Sequence, residues 1–184
     1  MIDLNIENEL RQDLGKSEKL LWAGKPKEGI LFRVTDIFLI PFSLLWFGFA
    51  IFWEFNALKM GINFFALFGI PFLLVGLYVS VGRFFADSLK RKNTLYGITD
   101  NRIIIKSGVF SKETKSLNIK VLADLSIKEK RDGTGTITLG PNDIRYAMFN
   151  GMGNWPGAKQ PPSIEAVEDV RKVYNIILEQ QGKN

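Results

Sequence analysis

Two apolar runs limit what this chain can become more than anything else in it. VTDIFLIPFSLLWFGFAIFW, residues 34–53, carries one charge, Asp36, close to its start, and INFFALFGIPFLLVGLYVSVG, residues 62–82, carries none. At 1.5 Å rise per residue, about 20 helical residues cross the roughly 30 Å hydrocarbon layer of a bilayer. Helices that are apolar all round need lipid or a large body of protein about them. Some 130 other residues are too few to supply the second. Two transmembrane helices are therefore expected.

The connection Glu54–Gly61 is short, so the two helices should form an antiparallel hairpin. Lys25, Lys27 and Arg33 precede it, Arg83, Lys90, Arg91 and Lys92 follow it, and Lys59 is the one base between the helices. That asymmetry predicts a multi-pass protein of the cytoplasmic (inner) membrane with both termini in the cytoplasm. The first thirty residues lack the apolar stretch of a secretory signal, so the hairpin is expected to be retained uncleaved. Trp53 and Phe55 should anchor the outer interface, and Arg83 should snorkel to the inner one. Ala66, Gly69, Gly76 and Ser80 lie along one stripe of the second helix, where small side chains let a partner helix approach closely. Pro71 predicts a kink. Neither run carries a charge at its middle, which argues against an ion or proton path.

The chain has no Cys and no His. Thiol catalysis, disulfides, Cys/His zinc sites and histidine acid–base chemistry are thereby excluded. No nucleophile–base pair, carboxylate constellation or cofactor loop can be named in what remains, so no enzyme and no cofactor is expected. The net charge of +5 resides in residues 87–184, since the first 33 residues balance. Within Lys90–Arg131 eleven bases face four acids, a bias that suits anionic lipid, nucleic acid or acidic protein. Behind a membrane anchor, lipid and protein are the expected partners and nucleic acid is not.

From Leu95 the apolar period changes to two. Ile103 and Ile105 alternate with Arg102, Ile104 and Lys106. Leu117, Ile119 and Val121 form a second run, Leu125 and Ile127 a third. Ile137 and Leu139 follow the hairpin signal Asp132-Gly133, and Ile144, Tyr146 and Met148 make a last run. Such alternation predicts half-buried antiparallel strands, and the short spacings leave no room for crossover helices. FNGMGNWPGAKQPP (149–162) reads as a turn-rich loop. Its glycines, like those of GTGTITLG, lack the Lys-Ser/Thr of a phosphate cradle. After it Ser163 is a candidate N-cap for a final amphipathic helix carrying Ile164, Val167, Val170, Val173, Tyr174, Ile177 and Leu178 on one face.

An antiparallel meander with one closing helix is the pleckstrin-homology plan, and particular residues resemble the bacterial PH domains found behind membrane hairpins. YGITDNRIIIKSGVF (96–110) is similar to that family's opening hairpin. LADLSIKEKRDGTGTITLG (122–140) and the final helix continue the likeness, and SEKLLWAGKPKEG (17–29) resembles the segment that precedes the helices. The resemblance implies a membrane-anchored α+β protein: a two-helix hairpin, then a PH-like antiparallel β-barrel capped by a helix. The expected layout is an N-terminal cytoplasmic segment at 1–33, the hairpin at 34–86 (helices 34–53 and 62–82) and a PH-like domain at 94–181.

Two functions follow as expectations. The first is a non-catalytic binding or scaffold module held at the inner leaflet, engaging a membrane or cytoplasmic protein, with a homo-oligomer left open. The second is a reader of anionic lipid headgroups through Lys90, Arg91, Lys92, Lys128, Lys130 and Arg131. Topology signalling alone also accounts for the first three of these. A subunit of a larger transport or secretion complex is the remote third. The seven residues Asp87–Asn93 span at most about 25 Å when extended, so the module is expected close to the membrane.

Overall fold

The computed structural model describes residues 4–32, 36–61, 64–109, 111–122, 124–140 and 161–183. The chain divides into two units, one drawn from Met1–Gly29, Leu89–Ala147 and Lys159–Asn184, the other from Ile30–Ser88. The expected strand at Ile144–Met148 and most of the loop after it lie outside the described residues.

In the first unit a short helix α1 (Leu4–Arg11) leads to strand β1 (Leu20–Gly24). Then come β2 (Thr94–Thr99), β3 (Arg102–Ser107) and β4 (Glu113–Asn118), all antiparallel in the order β1-β2-β3-β4. The sequence alone places Leu20–Gly24 in a separate N-terminal segment. In the structure it pairs with β2, Ala23 opposite Gly97 and Gly24 opposite Tyr96. A second sheet holds β5 (Leu125–Glu129), β6 (Gly135–Leu139) and β7 (Ser163–Val167) in that order. Helix α5 (Val170–Gly182) closes the unit.

Both sheets and α5 share one core, in which Ile98, Ile103, Ile119, Ile137, Ile164 and Ile177 are fully buried. Gln181 fastens the far end of α5 by donating to Ile119 O and Leu122 O. No closed barrel forms among the described residues: β1 and β7 end as edges of different sheets. Where they draw together, Lys27 N donates to Ala166 O at 2.7 Å. Pro26, between Lys25 and Lys27, has no N–H with which to extend β1 as a ladder.

Three expected boundaries move. Ser163 is not a helix cap; Ser163–Val167 is a strand, and the helix starts after Asp169. Ile164 and Val167 fit either periodicity, and what decides is the exposed side of β6, which β7 pairs. The Tyr96 hydroxyl then accepts the Glu165 N–H at 3.0 Å, and burial raises the pKa of this phenol. The run Leu117–Val121 stops being a strand at Asn118, whose side chain accepts from Lys120 N and turns Ile119–Val121 into a 3-10 helix. Finally, the strands are not simply half-buried. Every residue of β2 is buried and so is Ile104, because α1 lies on the second face of the sheet.

In the second unit α2 (Asp36–Lys59) and α3 (Phe64–Leu77) pair, and a π turn, Tyr78–Gly82, joins α3 to α4 (Arg83–Lys92). Helix therefore persists beyond both expected ends. Glu54–Lys59 is part of α2 rather than connection, and Asp87–Lys92 continues as helix, which keeps it within the extended limit. Pro41 and Pro71 both sit inside helices. The spans Asp36–Lys59 and Leu67–Lys92 are each long and apolar enough to cross a membrane.

Candidate functional site

The seam between α2 and α3 is built from small residues. A β-carbon on Gly76 would come within 2.6 Å of Phe47 Cδ2 and 3.3 Å of Phe47 Cα, so the helix backbones touch there. A β-carbon on Gly69 would fall on the Glu54 carboxylate, 1.8 Å from Oε2. The buried Ser80 hydroxyl donates to Ser43 O at 3.3 Å. Four and then seven residues forward along α2, from Ser43 to Phe47 to Glu54, match equal steps back from Ser80 to Gly76 to Gly69. That is the register of an antiparallel pair. Asp36, Ser43, Ala50 and Ala57, spaced by seven, are all buried. Ala66 lies in α3, but its side chain is outside what is described.

Two charged groups occupy this seam that the sequence pattern places elsewhere. Glu54, expected in the connection, is buried in α2, and its Oε2 has no hydrogen-bond partner among the described residues. Arg83, expected to snorkel, pairs with Asp36 at 2.8 Å, both side chains largely buried. Their positions at opposite outer ends of the two apolar runs were the available signal, since an antiparallel hairpin brings those ends together.

The basic residues separate into two groups. Lys90 and Lys92 are exposed in the last turn of α4. Arg91 between them is 4% exposed and donates to Gly29 O, which makes it a structural residue of the module. Lys128 lies near the end of β5, and Lys130 and Arg131 stand in the exposed turn to β6. Asp132 shapes that turn. Its carboxylate accepts from the Thr134 hydroxyl and N–H, which lowers its pKa, and Gly133 takes φ +76°. The first group precedes β2 of the four-stranded sheet and the second belongs to the three-stranded sheet.

A groove of about 550 Å³ runs beside β1, between Trp22 and the start of α5. Its apolar floor includes Leu21 and Val173, and Lys25, Lys27, Glu168, Asp169 and Lys172 stand round it. Lys27 is drawn to Asp132 at 3.5 Å. The mixed charges leave no single-sign field to select an ion.

One polar cluster among the described residues was not announced by the sequence. The Arg102 guanidinium meets the Glu18 carboxylate with two parallel bonds of 2.8 Å and also donates to Asp13 O. Glu18 further accepts from Thr99 Oγ1 and Gly15 N. The Arg102 bonds first, with those of Gly15 and Thr99, hold its carboxyl down at about 2. A bidentate contact like this orients planar groups as well as attracting them. No group of three or more His, Cys, Asp or Glu side chains able to hold a metal ion occurs among the described residues.

On this architecture, comparison with known proteins identifies the family. The model of the family described as Bacterial PH domain matches residues 31–181, a range that takes in both apolar helices and β2 to β7 but begins after α1 and β1. The chain belongs to the bacterial PH domain family. A solved structure of a DUF1696 family protein with a pleckstrin-homology domain, from Shewanella loihica PV-4, is 13% identical, with a TM-score of 0.43. The match covers 98% of this chain and 94% of that one. No curated protein matches the chain.

Proposed function

We propose that this protein is a membrane-anchored, non-catalytic binding or scaffold module that presents its PH-like unit at the inner leaflet, with both termini in the cytoplasm. One observation carries the reading. The hairpin is inside-out: Ser43, Ala50, Gly69 and Gly76 face the seam, while Phe38, Leu45 and Phe52 project outward at 77%, 73% and 66% exposure. Water would penalise that arrangement at about 25 cal/mol for every Å² of apolar surface, whereas lipid does not. In lipid the drive to pair helices is close packing of small residues, which is what the seam offers. The absence of Cys and His, and a family of PH-like domains, support binding rather than chemistry.

The topology is tested with single cysteines, since the native chain has none. Ser17, Met60 and Lys183 are exposed sites between α1 and β1, after α2 and after α5. In intact cells only Met60→Cys should react with a membrane-impermeant thiol reagent. Labelling of Ser17→Cys or Lys183→Cys would overturn the orientation.

A second reading, contact with anionic lipid headgroups, is favoured by Lys90 and Lys92, exposed on a helix continuous with the apolar span. Each base held near an anionic surface contributes on the order of 1 kcal/mol. Arg91 leaves that set because it is buried.

A further inference from the structure

The face of the four-stranded sheet turned away from the main core is covered by the chain's own N-terminus. Leu10 is fully buried above Gly97, where an added β-carbon would lie 3.1 Å from Leu10 Cδ1. A glycine inside a strand marks close approach, and here it makes the hollow the leucine fills. Ile6, one turn earlier, packs with Leu95 and Ile104. In the three ion pairs that flank this apolar contact, each acid belongs to the N-terminal segment and each base to the sheet side. Glu9 meets Lys112, Asp13 meets Lys106 at 2.8 Å, and Glu18 meets Arg102 at 2.8 Å.

An eight-residue helix is too short to persist alone in water, so α1 exists because of this seat. The ion pairs of Glu9 and, just beyond the helix, Asp13 that hold it are partly exposed and open to screening by salt. Removing α1 together with the turn to Asp13 would leave a shaped apolar hollow beside Lys106 and Lys112, while Arg102 stays held by Glu18.

We propose that the segment 4–13, with α1 at its centre, is a displaceable strap, and that its seat, floored by Gly97 and rimmed by Lys106 and Lys112, is a docking groove for an acidic amphipathic helix of a partner protein. The cis helix defines the partner's chemistry: two aliphatic residues four apart, for the Gly97 hollow and the Leu95–Ile104 patch, with carboxylates along the flank that faces the bases. The inference deepens the reading as a binding module and rests on it, naming the class of partner. It is independent of whether the helices cross a membrane.

The test uses the full chain in detergent micelles and a fluorescent synthetic peptide of residues 4–19. The strap is loosened in a Glu9→Lys/Asp13→Lys variant, which leaves both rim bases in place. Peptide should bind the loosened chain about tenfold more tightly than the wild type, whose seat is occupied most of the time. Added salt should weaken binding, and Leu10→Ala in the peptide, which cannot disturb the receptor's fold, should abolish it. Equal binding to both chains, no binding to either, or indifference to Leu10→Ala in the peptide would overturn the proposal. A circular dichroism spectrum of the loosened chain checks its fold; if it is lost, release of α1 from the wild-type chain by excess peptide, read from a fluorophore at Glu7→Cys, decides instead. Failure here with the cysteine-labelling pattern intact would remove the groove and keep the anchored module.

Discussion

Arg83 Nη1 lies 2.8 Å from Asp36 Oδ1, joining the first residue of α4 to the first residue of α2. The carboxylate and guanidinium are 7% and 13% exposed, and Arg83 Nε and Nη2 have no partner among the described residues. The pair thus ties the open end of the hairpin where its helices have no connection. Its charges were visible in the sequence, but their partnership depends on the register of two helices.

Breaking one side of a buried pair costs about 3–5 kcal/mol, because the remaining charge loses its counterpart. Asp36→Ala should lower the unfolding midpoint of the hairpin in micelles accordingly. The exchange Asp36→Arg/Arg83→Asp should recover part of the loss. Equal stability of Asp36→Ala and wild type would show that the pair contributes nothing.

The two seam glycines should respond unequally to alanine. At Gly69 the added carbon meets the end of the Glu54 side chain, which can swing aside, whereas at Gly76 it meets the Phe47 ring and backbone. Overpacking of this second kind costs about 1–3 kcal/mol. Gly76→Ala should therefore destabilise the hairpin clearly more than Gly69→Ala, measured as the midpoint shift in denaturing detergent. The reverse order would mean the helices pair through another face.

Glu18 links stability of the β-unit to acid. Its carboxyl is held at about 2 in the folded state, against 4.5 ordinarily, chiefly by Arg102. A lowered carboxyl stabilises fully above about pH 4.5 and loses that contribution as pH falls towards 2. With Arg102 one-third exposed and screened, the contribution is about 1–2 kcal/mol. Glu18→Gln should reduce the stability of the full chain at pH 6 and flatten its decline between pH 4.5 and 2, followed by urea unfolding. An unchanged acid limb in the variant would assign the decline to other groups.

Local pattern was enough to place the elements whose neighbours in space are neighbours in sequence. The β2–β3 hairpin, the β5–β6 hairpin at Asp132-Gly133 and the apolar helices each follow from period and turn chemistry over a dozen or so residues. So did the family, because the order of those elements is itself a linear property. Tertiary structure decided what depends on distant pairing. Ser163–Val167 became a strand because β6 had an unpaired side, Ile104 became core because α1 covers the second face, and Arg91 turned inward to Gly29. Arg83 became the partner of Asp36, and Leu10 found the hollow at Gly97, through contacts 47 and 87 residues apart in the chain. Periodicity reports whether a residue has an apolar side; it carries no record of which element will come to lie against it.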